Sequence, residues 1–498
     1  MALHMPARRN VVKGTGTAAA AVLTAVLVSA FVPAAARAAK AVEAAKPVLR
    51  AGAAASNITP WLDEPVIGGW KAAPAGHIHD ELHARCLVLD DGATRLAIVV
   101  CDNLGMSREV FDEAKRQVHE HTGLPVDRML MAATHTHSSI PCRWNDGKAP
   151  GAESPDYGRF VVRRIADGVR RAINHLEPAR IAWGTAEVPD QVFNRRWLMK
   201  PGTPLPDPFG GTGDRVKMNP GHQRPGLLKP SGPVDPEVCF LAVESVAGRP
   251  IALLANYSLH YVGGTGRQQI SADYFGVFAD RIQQLIGADR LDPPFVGILS
   301  NGTSGNINNI NYAAAPDRRP PYEKIRLVAD RVAQAIFAQY KALAWRTDLS
   351  LDMRQAELEL AVRKPTPEQL TEARAMIAHP DRPDKRPHQR TYAGRIVRQH
   401  EAPATTRVIL QAVRIGELGI ATVPFETFVE TGLDLKARSP FKPTFTISLA
   451  NGSGGYLPTP EQHRLGGYET WLGTSRVETE ASTKIAAALL AMFDEIKP

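Results

Sequence analysis

From Leu82 onward the chain alternates short apolar runs with stretches of helical period, and no other feature limits its fold as strongly. Arg85 to Leu89 and Arg95 to Cys101 flank Asp91-Gly92, a hairpin turn signal. Ser107 is placed to cap a helix reaching about His119, Gly123-Leu124-Pro125 stops it, and Arg128 to Ala133 reads as a buried strand. Similar steps follow. Helices are predicted near 156–176, 272–286 and 322–343, with strands near 180–184, 238–244, 250–257 and 295–299. Strands near 408–415, 420–423 and 444–449 precede a closing helix from about Arg476. The pattern predicts an α/β fold, a mixed β-sheet core with flanking helices and a ligand site at strand ends.

Composition agrees with a folded chain, since 44% of the 498 residues are apolar and 22% charged. The net charge is +8, of which the first 38 residues supply Arg8, Arg9, Lys13 and Arg37 and no acid. The remaining excess is too small, and too free of basic blocks, for a nucleic-acid partner. Those 38 residues read as a signal peptide: basic Ala7 to Lys13, an apolar run from about Thr15 to Phe31, and an A-x-A site at Ala36-Arg37-Ala38. Arg8-Arg9 gives it a twin-arginine character, and retention as a membrane anchor is the alternative. The expected location is outside the cytoplasm, periplasmic or secreted, and residues 39–498 read as one catalytic domain. Four dispersed cysteines, Cys86, Cys101, Cys142 and Cys239, make no disulfide framework. Between Pro201 and Pro233, 15 of 33 residues are Gly or Pro, so this segment is expected to form no regular element and to serve as a lid or wall. Residues 365–399 read as a helical excursion.

Three His-x-His pairs occur, and their placement separates them. His119 and His121 end a helix, where imidazolium favours the dipole, and read as surface residues. His77 and His79 precede a strand and are ambiguous. His135 and His137 follow a buried strand, at the edge where α/β proteins build sites. Other strands end the same way: His260 follows Leu253 to Leu259, Glu426 follows Ile420 to Phe425, and Tyr456 follows Asn451 to Gly455. Imidazole, carboxylate and phenol form an N/O set suited to Zn²⁺ with room for water. On chemistry alone Tyr456 reads as a hydrogen-bond donor beside the ligands.

These segments, in this order, resemble the neutral, non-lysosomal ceramidases. The matching stretches are Gly52 to Pro60, Gly76 to Arg85, Asp102, Thr134-His135-Thr136-His137-Ser138, Asn194-Arg195, and His260 with Ser271-Ala272-Asp273 and Gly276. They continue through Asn301 to Asn309, Pro424-Phe425-Glu426 and Gly454 to Thr459. The resemblance implies one zinc ion per chain held by His135, His260, Glu426 and Tyr456. It also implies that His137 lies close to the reacting centre, that Arg195 contacts substrate, and that the reaction is amide hydrolysis of a ceramide-like lipid. An ordinary imidazole pKa of about 6.5 suits His137 to hand a proton to the leaving group, with orientation of the site as its alternative role. Arg195 serves equally as a structural ion pair. The family's serine within Gly-Asn-Leu-Ser is replaced here by Asn308 in Gly305-Asn306-Ile307-Asn308, a group that can hold water or an oxyanion but cannot act as nucleophile. The β-sandwich of longer members is not expected in this sequence. An ester, glycosidic or other amide bond, and an exported binding protein without turnover, stay open as alternatives.

Overall fold

The computed structural model of the chain describes residues 48–67, 72–143 and 155–497, so the expected leader lies outside the described residues. Eight strands share one sheet, in the spatial order Val296–Asn301, Pro250–Tyr257, Glu237–Ser245, Glu177–Glu187, Arg50–Asn57, His83–Asp90, Arg95–Cys101 and Met129–Ala133. The sheet is mixed. Met129–Ala133 runs parallel to Arg95–Cys101, and Val296–Asn301 parallel to Pro250–Tyr257, while the other neighbours are antiparallel. Its halves are joined at two paired positions only, Arg50 with Pro178 and Ala51 with Glu177.

Apolar side chains from both halves, Ile98, Leu130, Leu241 and Ile298 among them, bury against Ile420 and Phe445 of a second, four-stranded sheet. That sheet has the order Leu351–Ala361, Thr405–Ile415, Leu418–Val423 and Thr444–Ser448. Because these strands are covered on both faces, they read as continuous apolar runs rather than alternating ones; all five residues of Met129–Ala133 are buried. Each fully buried Leu, Ile or Phe contributes about 1.5–3 kcal/mol.

Helices cover the outer faces. Arg108–Thr122 and Pro155–Asn174 pack on one half-sheet, Asp273–Leu285 and Glu323–Tyr340 on the other, and Ala481–Ile496 on the four-stranded sheet. The first helix ends as its sequence dictates, with Gly123 left-handed at φ 72° and His119 and His121 in the last turn. Both imidazoles are exposed, and each sets its Nδ1 against a nearby carbonyl, of Leu124 and Gln117. Ser107 stands at the N-cap but its side chain makes no capping bond, contrary to expectation.

Two further expectations need correction, and one strand was not anticipated. The 201–233 segment is not devoid of regular structure: Val216–Met218 and Leu227–Pro230 flank Arg196–Met199 in a small sheet. Its glycines sit at turns, Gly221 and Gly226 both at φ 96°, and Pro230 closes an edge strand where its missing N–H costs nothing. The strand Leu351–Ala361 escaped notice because it is an edge strand whose exposed half carries Arg, Gln and Glu. The closing helix begins at Ala481, five residues later than expected. The helical excursion does form, as Pro367–Ala378 and Gln389–Glu401. All four cysteines are buried free thiols. No helix of the described residues is long and apolar enough to cross a membrane.

Candidate metal centre

Four strand ends deliver side chains to one point. The strand Thr444–Ser448 lies parallel to Leu418–Val423, and its continuation crosses to the end of Met129–Ala133, where Ala133 N donates to Leu449 O and Asn451 N to Met131 O. This crossing ties the two sheets together at the place where His135 emerges. Glu426 and Tyr456 are then fixed side by side as register partners of a short parallel pair, Glu426–Thr427 with Tyr456–Leu457. Gly455, at φ 88°, makes the turn into that pair, and a side chain at Gly305 would come within 2.4 Å of the Glu426 carbonyl oxygen.

His135 is held in the left-handed region at φ 70°, a conformation rare outside glycine and concentrated at functional sites. Its backbone N–H donates to Asn103 O at 2.9 Å and its Nδ1 faces Leu104 O. His260, only 1% exposed, sets its Nδ1 3.0 Å from Ser304 O, while Ser304 Oγ donates to Asn301 Oδ1 at 2.7 Å. A carbonyl opposite Nδ1 makes that nitrogen the donor, so each ring in its neutral form turns a bare Nε2 lone pair inward.

Those lone pairs meet a carboxylate. His135 Nε2 and His260 Nε2 lie 3.4 and 3.6 Å from Glu426 Oε2. His137 Nε2 lies 3.1 Å from His135 Nε2, its half-buried ring stacked on Tyr261 at 3.7 Å. His260 Nε2 and Glu426 Oε2 are buried and have no hydrogen-bond partner. Two orphaned acceptors facing one another are costly unless a cation sits between them. Donor atoms about 2 Å from a shared tetrahedral ion stand roughly 3.3 Å apart, which is the spacing found. The donor set therefore fits a divalent metal. Three of the imidazoles, His135, His137 and His260, also form a compact group on their own. His137 thus stands within ligand reach, where the sequence placed it as a proton carrier.

The electrostatics agree with a cation site. Burial, then the nearby Arg195, His135 and His137, push the His260 imidazole well below its ordinary value, so it is neutral and able to ligate. Burial alone would raise the Glu426 carboxyl, but His135, the Tyr456 hydroxyl and Arg195 hold it at about 2. Burial raises the Tyr456 phenol well above 10, against the pull of Arg195.

Arg195 is buried, and its Nη2 donates to Tyr456 Oη at 2.9 Å and Gly305 O at 2.7 Å. Behind it, Glu469 is wholly buried, 2.6 Å from Arg196 and 3.8 Å from Arg195 Nε. Asn308 lies on the short strand Ile307–Asn308, paired with Phe193–Asn194 just before Arg195. Its amide is committed locally: Nδ2 donates to Asn219 Oδ1 and Tyr312 Oη at 3.1 and 3.2 Å, and Oδ1 accepts from Ile310 N. His77 is exposed, and His79 stacks on Tyr322 at 3.5 Å and pairs with Asp80, so neither belongs to the cluster.

Sequence reasoning missed Tyr261, Glu469 and the support that Ser304 gives His260; Ser304 was weighed only as the family's serine and set aside for Asn308. Ser304 and Tyr261 stand in or beside segments already singled out. Nothing local marks Glu469, whose partners lie more than 260 residues away.

No family model and no curated protein matches the chain. Solved structures do, two of them as follows. The crystal structure of neutral ceramidase from Pseudomonas aeruginosa matches with TM-score 0.61 and 17% identity, over 90% of this chain and 74% of that one. A ceramidase complexed with C2 matches with TM-score 0.63 and 16% identity, over 90% and 75%. Across nearly its whole described length, the chain has the fold of neutral ceramidase.

Proposed function

We propose that the chain is an exported, zinc-dependent hydrolase of neutral ceramidase type that cleaves the N-acyl amide of a ceramide-like lipid. The observation that carries the reading is the pair of buried, unpartnered atoms His260 Nε2 and Glu426 Oε2, set 3.6 Å apart with His135 Nε2 beside them. Export rests on the basic stretch, apolar run and A-x-A site of residues 1–38.

His135, His260, Glu426 and Tyr456 would hold the ion. A divalent cation held there would lower the pKa of water toward about 7 and polarise a substrate carbonyl. The remaining steps belong to the protein. Arg195 donates to the Tyr456 oxygen, which leaves the phenol's own proton directed away from Arg195 and stabilises negative charge on that oxygen. His137, half-buried and stacked on Tyr261, carries a proton between the reacting centre and solvent and delivers it to the departing amine. Leu104 O and Ser304 O fix the tautomers of His135 and His260 so that neither ring competes for that proton.

A second reading keeps the centre and changes the bond. Asn308 favours it, since its amide is tied to Asn219 and Tyr312 and offers no hydroxyl. Turnover of ceramide, simpler N-acyl amines, esters and glycosides, with and without chelator, decides between them. Chelator-sensitive release of fatty acid from ceramide supports the first reading. Chelator-sensitive cleavage confined to another bond supports the second, and no cleavage of any of them refutes both.

A further inference from the structure

A patch apart from the metal centre carries the chemistry of a lipid–water interface. Among the described residues, seven large hydrophobic side chains are exposed, and Trp61 and Leu62, at 51% and 48%, are the only adjacent pair and include the only aromatic. They follow the strand Arg50–Asn57 at a defined end of the sheet. By register Asn57 faces His83, Ala84 faces Cys101, and Cys101 lies beside Ala133. This is the end from which His135 and His137 emerge, and Ile67 N donates to Ser139 O across it at 3.3 Å.

The Trp61 ring rests on Phe160 and Tyr157 of the helix Pro155–Asn174, with centroids 5.6 and 6.5 Å away. The first half of that helix is pinned to the same end of the sheet: Tyr157 Oη donates to Ile58 O at 2.8 Å and Arg164 Nε to Asn57 O at 3.0 Å. Its outward stripe carries Arg159, Arg163 and Arg170 over about 16 Å. Arg163 is 80% exposed, and Asp167, the one acid among the stripe's described side chains, stands 3.9 Å from both Arg163 and Arg170, at the limit of an ion pair. On the neighbouring helix, Glu113 and Glu120 are taken by Arg116. The three arginines line a groove of about 400 Å³ with Gln117 and His121.

An exposed indole and leucine beside three guanidinium groups that share one described acid match the layered chemistry of an anionic membrane surface, apolar below and phosphate above. A neutral or basic partner would leave the arginines without counter-charge. We propose that this face docks the protein on anionic phospholipid, with Trp61 and Leu62 entering the headgroup layer and Arg159 and Arg163 meeting lipid phosphates. The docking end of the sheet is the end that bears the metal centre. The proposal takes its purpose from the lipid-amide reading, while vesicle binding is measurable whatever bond the site cleaves.

The test is flotation of the full chain with vesicles of phosphatidylcholine alone and of phosphatidylcholine with phosphatidylglycerol, at low and high salt. Residues 1–38 are common to every variant, so their contribution cancels in the comparison. Binding is expected to the phosphatidylglycerol vesicles and to weaken with salt. The pair Arg159→Gln and Arg163→Gln should lower the association constant about thirtyfold, at roughly fivefold per cation. The pair Trp61→Ser and Leu62→Ser should weaken binding while leaving its salt dependence. Melting temperature and hydrolysis of a soluble short-chain N-acyl amine should be unchanged in both. Variants that bind like the wild type, or equal binding to neutral vesicles, would overturn the proposal. So would self-association abolished by Trp61→Ser and Leu62→Ser, which would assign the face to a second copy. Vesicle binding without turnover of any amide would retire the lipid-amide reading and leave the docking face standing.

Discussion

Removing His260 should take away a specific acid sensitivity of the metal-free protein. The imidazole is 1% exposed, and burial, reinforced by Arg195, His135 and His137, holds its pKa well below the ordinary 6.5. Below pH 6.5 the unfolded chain therefore takes up a proton that the folded chain refuses, so stability that is fully present above that pH is lost as the pH falls. The loss is about 1.4 kcal/mol for each pH unit below 6.5, until the folded pKa is reached. Glu426 acts in a separate window. Its carboxyl is held at about 2, so its contribution is intact above the ordinary carboxylate range and is lost only as the pH falls from about 4.5 toward 2. Urea denaturation in chelator, in one-unit steps from about pH 7.5 to 4.5, compares the wild type with His260→Gln. Other titrating groups are common to both chains, and below pH 6.5 the wild type should lose about 1.4 kcal/mol per pH unit more than the variant at equal m value. Parallel curves would refute the claim that His260 is buried neutral.

Glu469→Ala strips the carboxylate that Arg196 contacts at 2.6 Å in a wholly buried pair, and should cost about 3–5 kcal/mol in urea denaturation. Gly305→Ala puts a methyl group 2.4 Å from the Glu426 carbonyl, and should cost about 1–3 kcal/mol by the same assay while weakening metal binding. Asn308→Ala breaks bonds to Asn219 and Tyr312 that do not touch the cluster; it should cost about 1–2 kcal/mol and leave metal affinity unchanged, as read by competition with a chromophoric chelator.

The sequence displayed the α/β order clearly because the strands are covered on both faces, and runs such as Met129–Ala133 or Leu253–Leu254–Ala255 carry no polar interruption. What it could not display was how one half-sheet meets the other, since Arg50 with Pro178 and Ala51 with Glu177 are pairings no local pattern marks. The residues proposed as ligands stood out for a related reason: His135, His260 and Glu426 come within a few residues of an apolar strand's end, where a polar group has little structural purpose, and Tyr456 closes the glycine-rich turn after another. Their supports did not, because Leu104 and Ser304 act through backbone carbonyls, which every residue possesses. The commitment of Asn308 to Asn219 depends on the 201–233 segment, whose glycines and prolines hid a small sheet.

The central claim is that His135, His260 and Glu426 close around one divalent ion. Titration of Zn²⁺ into the chelator-stripped chain, followed calorimetrically, tests it most directly. One site per chain is predicted in the wild type, with affinity reduced at least about hundredfold in His135→Ala and Glu426→Gln and unchanged in His77→Ala. Undiminished affinity in His135→Ala and Glu426→Gln, or no zinc binding by the wild type, would contradict the account.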